Sequence, residues 1–339
     1  MAWLTNWTYR KEITVTNALA GHTTEVLIGK TSDAVGEDVD CGGNIADDFD
    51  DLRFTAADGS TLIDYWIDSI ADSGGTKLAD VWVENNATPD STLYMYYGGT
   101  ETAVSSIADA FIKGDDFERG NDTDEIGGSW TEASGTVEIS TGQAYGGTRS
   151  MKLVGAATSP QASIAQTAGS GYAIRFRVYK EDASKMTIYH GDASNLLQAY
   201  AAENENIYYY DTEAHDTGAD ATADTWELYE INDIDFVTNQ NFDIWHQGAE
   251  IQADAVMRAL AYENLIRLDG LNSVGADTWI DDFIIRKWAA TEPSFAFGSE
   301  ETEEGWSNIS HVLGVAAASI SHVNGVAVAS ISHVKGVAV

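Results

Sequence analysis

The segment YAIRFRVYK, Tyr172 to Lys180, alternates without a break. Ile174, Phe176 and Val178 point to one side, and Arg175, Arg177 and Tyr179 to the other. Period two with β-branched and aromatic residues describes a strand with one apolar face. The same grammar recurs toward the N-terminus. WTYRKEITVT (7–16) sets Trp7, Tyr9, Lys11, Ile13 and Val15 against Thr8, Arg10, Glu12 and Thr14. Shorter runs such as TLIDYWID (61–68), KLADVWVEN (77–85), TLYMYYG (92–98), KMTIYHG (185–191), NIYYYDT (206–212) and TWIDDFIIRKW (278–288) read alike. Turn chemistry separates them, as in Ala57-Asp58-Gly59 and Ser73-Gly74-Gly75. AVMRALAYENLIRL (255–268) fits a helix or two strands around Glu263-Asn264, and its neighbours favour strands. The fold class expected is all-β: two antiparallel, jelly-roll-like β-sandwiches over residues 1–105 and 111–297. Ser105 to Ile112 joins them.

The chain of 339 residues carries 54 acids against 18 Lys and Arg, a net charge of −36. A phosphate-binding surface needs clustered cations, so this balance argues against nucleic acid and against an anionic membrane. With 44% hydrophobic residues and ten Trp, disorder is excluded as well. The single Cys41 precludes an intrachain disulfide and any multi-cysteine metal cluster. MAWLTNWTYRKEITV lacks the basic and apolar regions of a secretion signal, and no apolar run is long enough to span a membrane.

After Gly298-Ser299-Glu300-Glu301-Thr302-Glu303-Glu304-Gly305, expected to be an acidic linker, the composition changes. Residues 306–339 hold no Asp or Glu. They repeat as ISHVLGVAAAS (309–319), ISHVNGVAVAS (320–330) and ISHVKGVAV (331–339). Eleven residues is also a helical supercoil period. A central Gly in each unit and the β-branched residues favour instead an extended segment that turns near Asn324-Gly325 and its equivalents. Such short units need a neighbour to bury against. Ile309, Val312, Gly314, Ile320, Val323, Gly325, Ile331, Val334 and Gly336 are therefore expected to form an assembly surface, on the chain's own sandwiches, another copy of this chain or a different protein.

The first block resembles the domain of unknown function 2341. The resemblance rests on Trp7-Thr8-Tyr9-Arg10, Asp51-Leu52-Arg53-Phe54 with Asp58-Gly59, Val81-Trp82-Val83 and Tyr94-Met95-Tyr96-Tyr97-Gly98. It implies an extracellular-type β module with no attached chemistry. The second block looks like a concanavalin A-like or laminin G-like jelly roll, through Asp116-Phe117-Glu118, Gly147 to Leu153, Thr225-Trp226-Glu227-Leu228 and Trp279 to Phe283. The terminal repeats resemble those of phage and archaeal-virus virion proteins.

The jelly-roll resemblance implies a structural calcium joining the first and last strands. Asp116, Glu118 and one of Asp281 or Asp282 are the expected ligands, since calcium takes several carboxylate oxygens. Simple alternation would turn one of the two adjacent aspartates inward. Tyr209 and Trp245 are candidate glycan-stacking residues, because consecutive tyrosines in a strand face both ways. Glycoside hydrolysis would need two carboxylates across a sugar. Neither Glu230-Ile231-Asn232-Asp233-Ile234-Asp235 nor Glu250-Ile251-Gln252-Ala253-Asp254 sets Glu, Asp and Glu on one strand face. The function expected is a non-enzymatic virion surface protein, a decoration, turret or fibre component with possible glycan binding and homo-oligomerisation. A cellular surface glycan-binding protein is the alternative, and a glycosidase the third.

Overall fold

The computed structural model describes residues 2–85, 89–100, 104–181, 185–202, 204–271 and 273–303, and the backbone of six residue pairs between 311 and 338. Nearly all the regular secondary structure of the described chain is strand, as the alternation predicts; its one helix is the turn Ile107–Ala110.

The first sandwich pairs a five-stranded sheet with a four-stranded one. The five-stranded sheet runs Ser294–Thr302, Tyr9–Thr16, Thr92–Tyr97, Arg53–Thr55, Leu62–Ile63. The four-stranded sheet runs Val39–Asp40, Thr23–Gly29, Thr76–Glu84, Tyr65–Ser73. Ile13, Val15, Val26, Ile28, Phe54 and Val81 meet between them. The face read from WTYRKEITVT holds from Tyr9 onward, whereas Trp7 packs with Tyr94 and Tyr96 in a separate cluster. Arg10 lies on the outer side yet is buried. Its guanidinium sits 4.3 Å from the Trp3 ring centre and 4.4 Å from that of Tyr94.

The outermost strand, Ser294–Thr302, corrects the expected organisation. Residues 298–302, read as the start of an acidic linker, are the end of a strand antiparallel to Tyr9–Thr16. Residues 294–297, assigned to the jelly roll, also belong here. The acids are what fix this strand. Arg10 Nε donates to Glu301 Oε2 at 2.7 Å, and Tyr97 Oη and Asn44 Nδ2 donate to Glu300 Oε2 at 2.8 and 3.1 Å. Phe295 and Phe297 pack on the core from the same strand. The jelly roll is thus an insertion between the last two strands of the first sandwich.

The jelly roll has a seven-stranded sheet ordered Trp130–Ser134, Gln161–Ala165, Leu265–Gly270, Met186–Gly191, Leu196–Ala201, Asn206–Tyr210, Ala214–Asp220. Its second sheet runs Val137–Ser140, Ser150–Leu153, Thr278–Lys287, Ser170–Lys180, Trp226–Asp235, Asn241–His246, Ala249–Val256, with Lys113–Asp115 also paired to Thr278–Lys287. Residues 255–268 contribute to two strands, as their neighbours suggest. Ile174, Phe176 and Val178 enter the core between the sheets, as read from the opening segment.

Arg175 and Arg177, on the other side of that strand, face the first sandwich. Asp68, its carboxylate fully buried, takes Arg175 Nη2 at 3.1 Å and Arg177 Nη2 at 3.5 Å. Trp66 and Trp82 of the four-stranded sheet join Ile107, Phe111 and Ile284 in an apolar cluster beside this pair. The second sheet of the jelly roll is therefore covered by the first sandwich, and among the described residues the seven-stranded sheet keeps its outer face open.

In the tail, His311–Val312 pairs antiparallel with Val315–Ala316, and the next two repeats do the same. Each repeat thus holds a small hairpin, which agrees with the extended reading. Val312, Val323 and Val334 lie in these strands. Ile309, Gly314, Ile320, Gly325, Ile331 and Gly336 lie outside the described residues.

Candidate functional site

Of the four expected calcium ligands, Glu118 and Asp281 hold one loop, Tyr145 to Arg149. Glu118 Oε1 accepts the backbone N–H of Thr148 and of Arg149, each at 2.6 Å, and Oε2 accepts the Thr148 hydroxyl at 2.9 Å. Gly147 has φ +57°, which favours glycine, and a side chain there would push the Glu118 carboxylate off these hydrogen bonds. Asp281 Oδ2 accepts the N–H of Tyr145 at 2.8 Å and of Gly146 at 3.3 Å, and its Oδ1 accepts the N–H of Asp282 at 3.0 Å. Asp116 Oδ1 accepts the N–H of Glu118 at 3.2 Å.

Alternation fails at the aspartate pair. Both are buried, at 0% and 2% exposure, and both point away from the jelly-roll core. The cause is a β-bulge. The register to Ser170–Lys180 jumps between Arg175↔Ile284 and Arg177↔Asp281, and Asp282 takes φ +46°. The extra residue puts two side chains on one face. Ile280 and Phe283 then both enter the core.

Burial pushes both carboxyls well above the usual range. The neighbouring Asp282 adds to the rise at Asp281, and Asp68 adds to it at Asp282. Arg177 opposes it, its Nε 3.5 Å from Asp282 Oδ2. Burial likewise raises Asp116. The set does not fit a calcium cage. The oxygens of Glu118 and Asp281 are engaged by N–H donors, a guanidinium stands beside Asp282, and no three His, Cys, Asp or Glu are grouped to hold a metal among the described residues. Its geometry is that of a fastener between strand and loop.

The open face of the seven-stranded sheet has a different chemistry. Ile188, Ala199, Ala201 and Ile207 point into the core, so Tyr189, Tyr200, Tyr208 and Tyr210 point out. Residues 258–263 fold across one side and bring Tyr262 onto Tyr189, ring centres 6.1 Å apart and nearly parallel. Arg267 lies over both rings, at 4.6 and 5.5 Å. Asp269 holds it through Nε–Oδ1 at 2.7 Å and Nη2–Oδ2 at 3.2 Å. Beside this group is a groove of about 570 Å³ lined by Thr131, Ser163, Tyr262, Glu263, Leu265 and Arg267. The Tyr262 hydroxyl, shut off from solvent, has no hydrogen-bond partner among the described residues. Further along, Tyr200 and Tyr208 stack at 5.2 Å.

The two glycan candidates read from sequence fall elsewhere. Tyr209 is the inward member of its triplet. It packs on the core and stacks on His215 at 4.6 Å. Trp245 is half-buried on the second sheet, opposite Glu230 and Glu250. The structure does not bring the two into one platform. The outward tyrosines on either side of Tyr209 were within reach of the alternation rule once Ile207 was taken as core. Tyr189 and Tyr262 carry no such local signal, because a loop delivers one to the other.

The family described as a domain of unknown function (DUF2341) matches residues 48–133, from the first sandwich into the opening strands of the jelly roll. No curated protein matches the sequence. Among solved structures, a Bacillus licheniformis β-glucanase is 13% identical, covering 52% of this chain and 97% of its own, with a TM-score of 0.36. Domain 4 of an extracellular GH43 arabinanase from Geobacillus stearothermophilus, solved with arabinotriose, is 14% identical over 54% and 85%, with a TM-score of 0.34. A Caenorhabditis elegans galectin is 14% identical over 36% and 88%, with a TM-score of 0.27. At such values these likenesses carry no argument about ligand or activity.

Proposed function

We propose that the chain is a non-enzymatic glycan-binding surface protein whose ligand lies on the open face of the seven-stranded sheet. The observation that carries this reading is the concentration of Tyr189, Tyr200, Tyr208, Tyr210 and Tyr262, five of the chain's 15 tyrosines, on that one face. Tyrosine offers a flat apolar ring for the C–H face of a sugar and a hydroxyl for its polar edge. The groove beside Tyr262 has the size of a small-ligand site, with few polar groups converging on it. Hydrolysis would need two carboxylates aimed at the sugar. Among the described residues Glu263 is the one acid lining the groove, and Asp269 behind Arg267 is tied to it and also accepts Gln161 Nε2 at 3.1 Å. A glycan array tests the reading: the full chain should bind, and Tyr189→Ala with Tyr262→Ala should abolish the signal. A blank array for the unaltered chain rejects it, and reducing-sugar release from a bound polysaccharide would replace binding with hydrolysis.

The repeat tail favours a location. Every acid lies at or before Glu304, so the tail is the uncharged-to-basic end of a strongly acidic chain. Within the proposal, the sandwiches project from a virion surface and residues 306–339 dock on another virion protein or on other copies of the chain. The chain should then appear in many copies in purified particles by mass spectrometry; its absence there would shift the proposal to a cell surface.

A further inference from the structure

Most cations of this acidic chain are paired with carboxylates, from Arg10 to Arg286. Two exceptions lie together on the open face. Lys185 Nζ sits 5.1 Å over the Tyr200 ring and Arg258 Cζ 5.0 Å over the Tyr210 ring. Among the described residues, neither has a carboxylate within ion-pair distance. Among the described residues, two acids near these rings are already engaged. Asp269, within electrostatic reach of Lys185, is held by Arg267. Asp216, opposite Tyr208 on the next strand, accepts Asn206 Nδ2 at 2.9 Å and the Gly218 N–H at 2.8 Å.

The rings between the two cations share one face of the sheet. Tyr200 is directly opposite Tyr208 and stacked on it, and Tyr210 follows two residues later on the same side of its strand. The result is a tyrosine floor with a positive charge at either margin, in a chain with three acids for every base. A cation held over a ring keeps its charge toward the open side and is partly freed of water, which strengthens its pull on an anion. A neutral glycan has no use for this pair of charges, whereas a sugar acid uses the floor and the margins together.

We infer that the ligand of the open face is an acidic oligosaccharide bearing uronate carboxylates. Its rings lie on Tyr200, Tyr208 and Tyr210, and its carboxylates meet Lys185 and Arg258. This rests on the glycan-binding reading above and adds the charge of the ligand to it. Neutral subsites remain at the Tyr262 groove, where Arg267 is already compensated.

The experiment uses the full chain on an array of uronate oligosaccharides printed beside their carboxyl-reduced counterparts, with calorimetry on the best pair. The acidic member should bind at least about tenfold more tightly, roughly 1.4 kcal/mol. Lys185→Gln with Arg258→Gln should bring the two members to equal affinity. Tyr262→Ala should weaken both alike, and a melting temperature close to that of the unaltered chain reports that each variant folds. Equal affinity of the unaltered chain for the two members overturns this inference and leaves the glycan reading intact. Binding to neither overturns both.

Discussion

The buried carboxyls show how one residue changes the behaviour of an interface. Asp80, on the four-stranded sheet, is raised by burial and by the charges of Glu25 and Asp68, with Arg175 pulling the other way. Its folded-state pKa lies above the unfolded value near 4. The folded protein therefore holds more protons than the unfolded chain as pH climbs from about 4, and stability falls over that climb. Asp80→Asn keeps the shape and removes the titration, so its melting temperature should decline less than that of the unaltered protein between pH 5 and 8. Parallel melting curves would contradict this. The Asp281–Asp282 pair shifts the same way, but their oxygens hold a loop, so asparagine there is expected to destabilise at every pH. Because Glu118 and Asp281 are engaged by N–H donors, the melting temperature should also be the same in millimolar calcium and in EDTA. An ion at a hundredfold its Kd would add about 2.7 kcal/mol, on the order of 5–10 °C, and a rise of that size would show that the loop opens to admit calcium. This is also the scale at which the sequence is least legible. Alternation placed Ile174, Phe176 and Val178 correctly, but nothing local announces a bulge at Asp282, and both adjacent aspartates went to one side because of it.

At the scale of elements, Ser294–Thr302 is where composition and structure part. Gly298 through Glu304 look like a solvated linker because acids dominate. The charges of Glu300 and Glu301 are instead matched by Arg10, by the Tyr97 hydroxyl and by the Asn44 amide, partners more than 200 residues away. Only long-range pairing distinguishes such a strand from a linker, and a single sequence does not display it. Strands with an apolar face, such as Tyr9–Thr16, were readable because burial imposes period two. The consequence is testable by truncation. A chain ending at Glu303 retains every element of both sandwiches and should melt as the full chain does. A chain ending at Pro293 loses the strand that covers one edge of Tyr9–Thr16, together with Phe295 and Phe297. It should show an added early transition by calorimetry, since an exposed strand edge and an opened core remain. Equal melting of the two truncations would mean that the first sandwich is complete without its last strand. The same Glu303 chain tests the tail: by light scattering it should have a smaller assembled mass than the full chain.

The whole molecule combines a net charge of −36 with cations that are mostly paired. The unbalanced acids therefore repel one another across the two sandwiches, and compactness is opposed by the protein's own field. Salt weakens that opposition, because the screening length falls from about 10 Å at 0.1 M to about 3 Å at 1 M. The Asp68–Arg175 pair is buried and little screened, so salt should cost it less than it relieves at the surface. The two contributions predict a melting temperature that rises with sodium chloride from 0.05 to 1 M, the behaviour expected of a protein adapted to high salt. Sulfate would raise the melting temperature of almost any protein through exclusion, so the chloride series is the informative one. A flat or falling chloride series would mean that the ion pairs, not the unpaired acids, set the electrostatic balance. The open face would respond on its own terms. Long-range repulsion of an acidic glycan is relieved by the same salt, while contacts to Lys185 and Arg258 weaken, so affinity should pass through a maximum with ionic strength and not decline from the start. A steady decline from the lowest salt would place the ligand's charge under the control of the two cations alone.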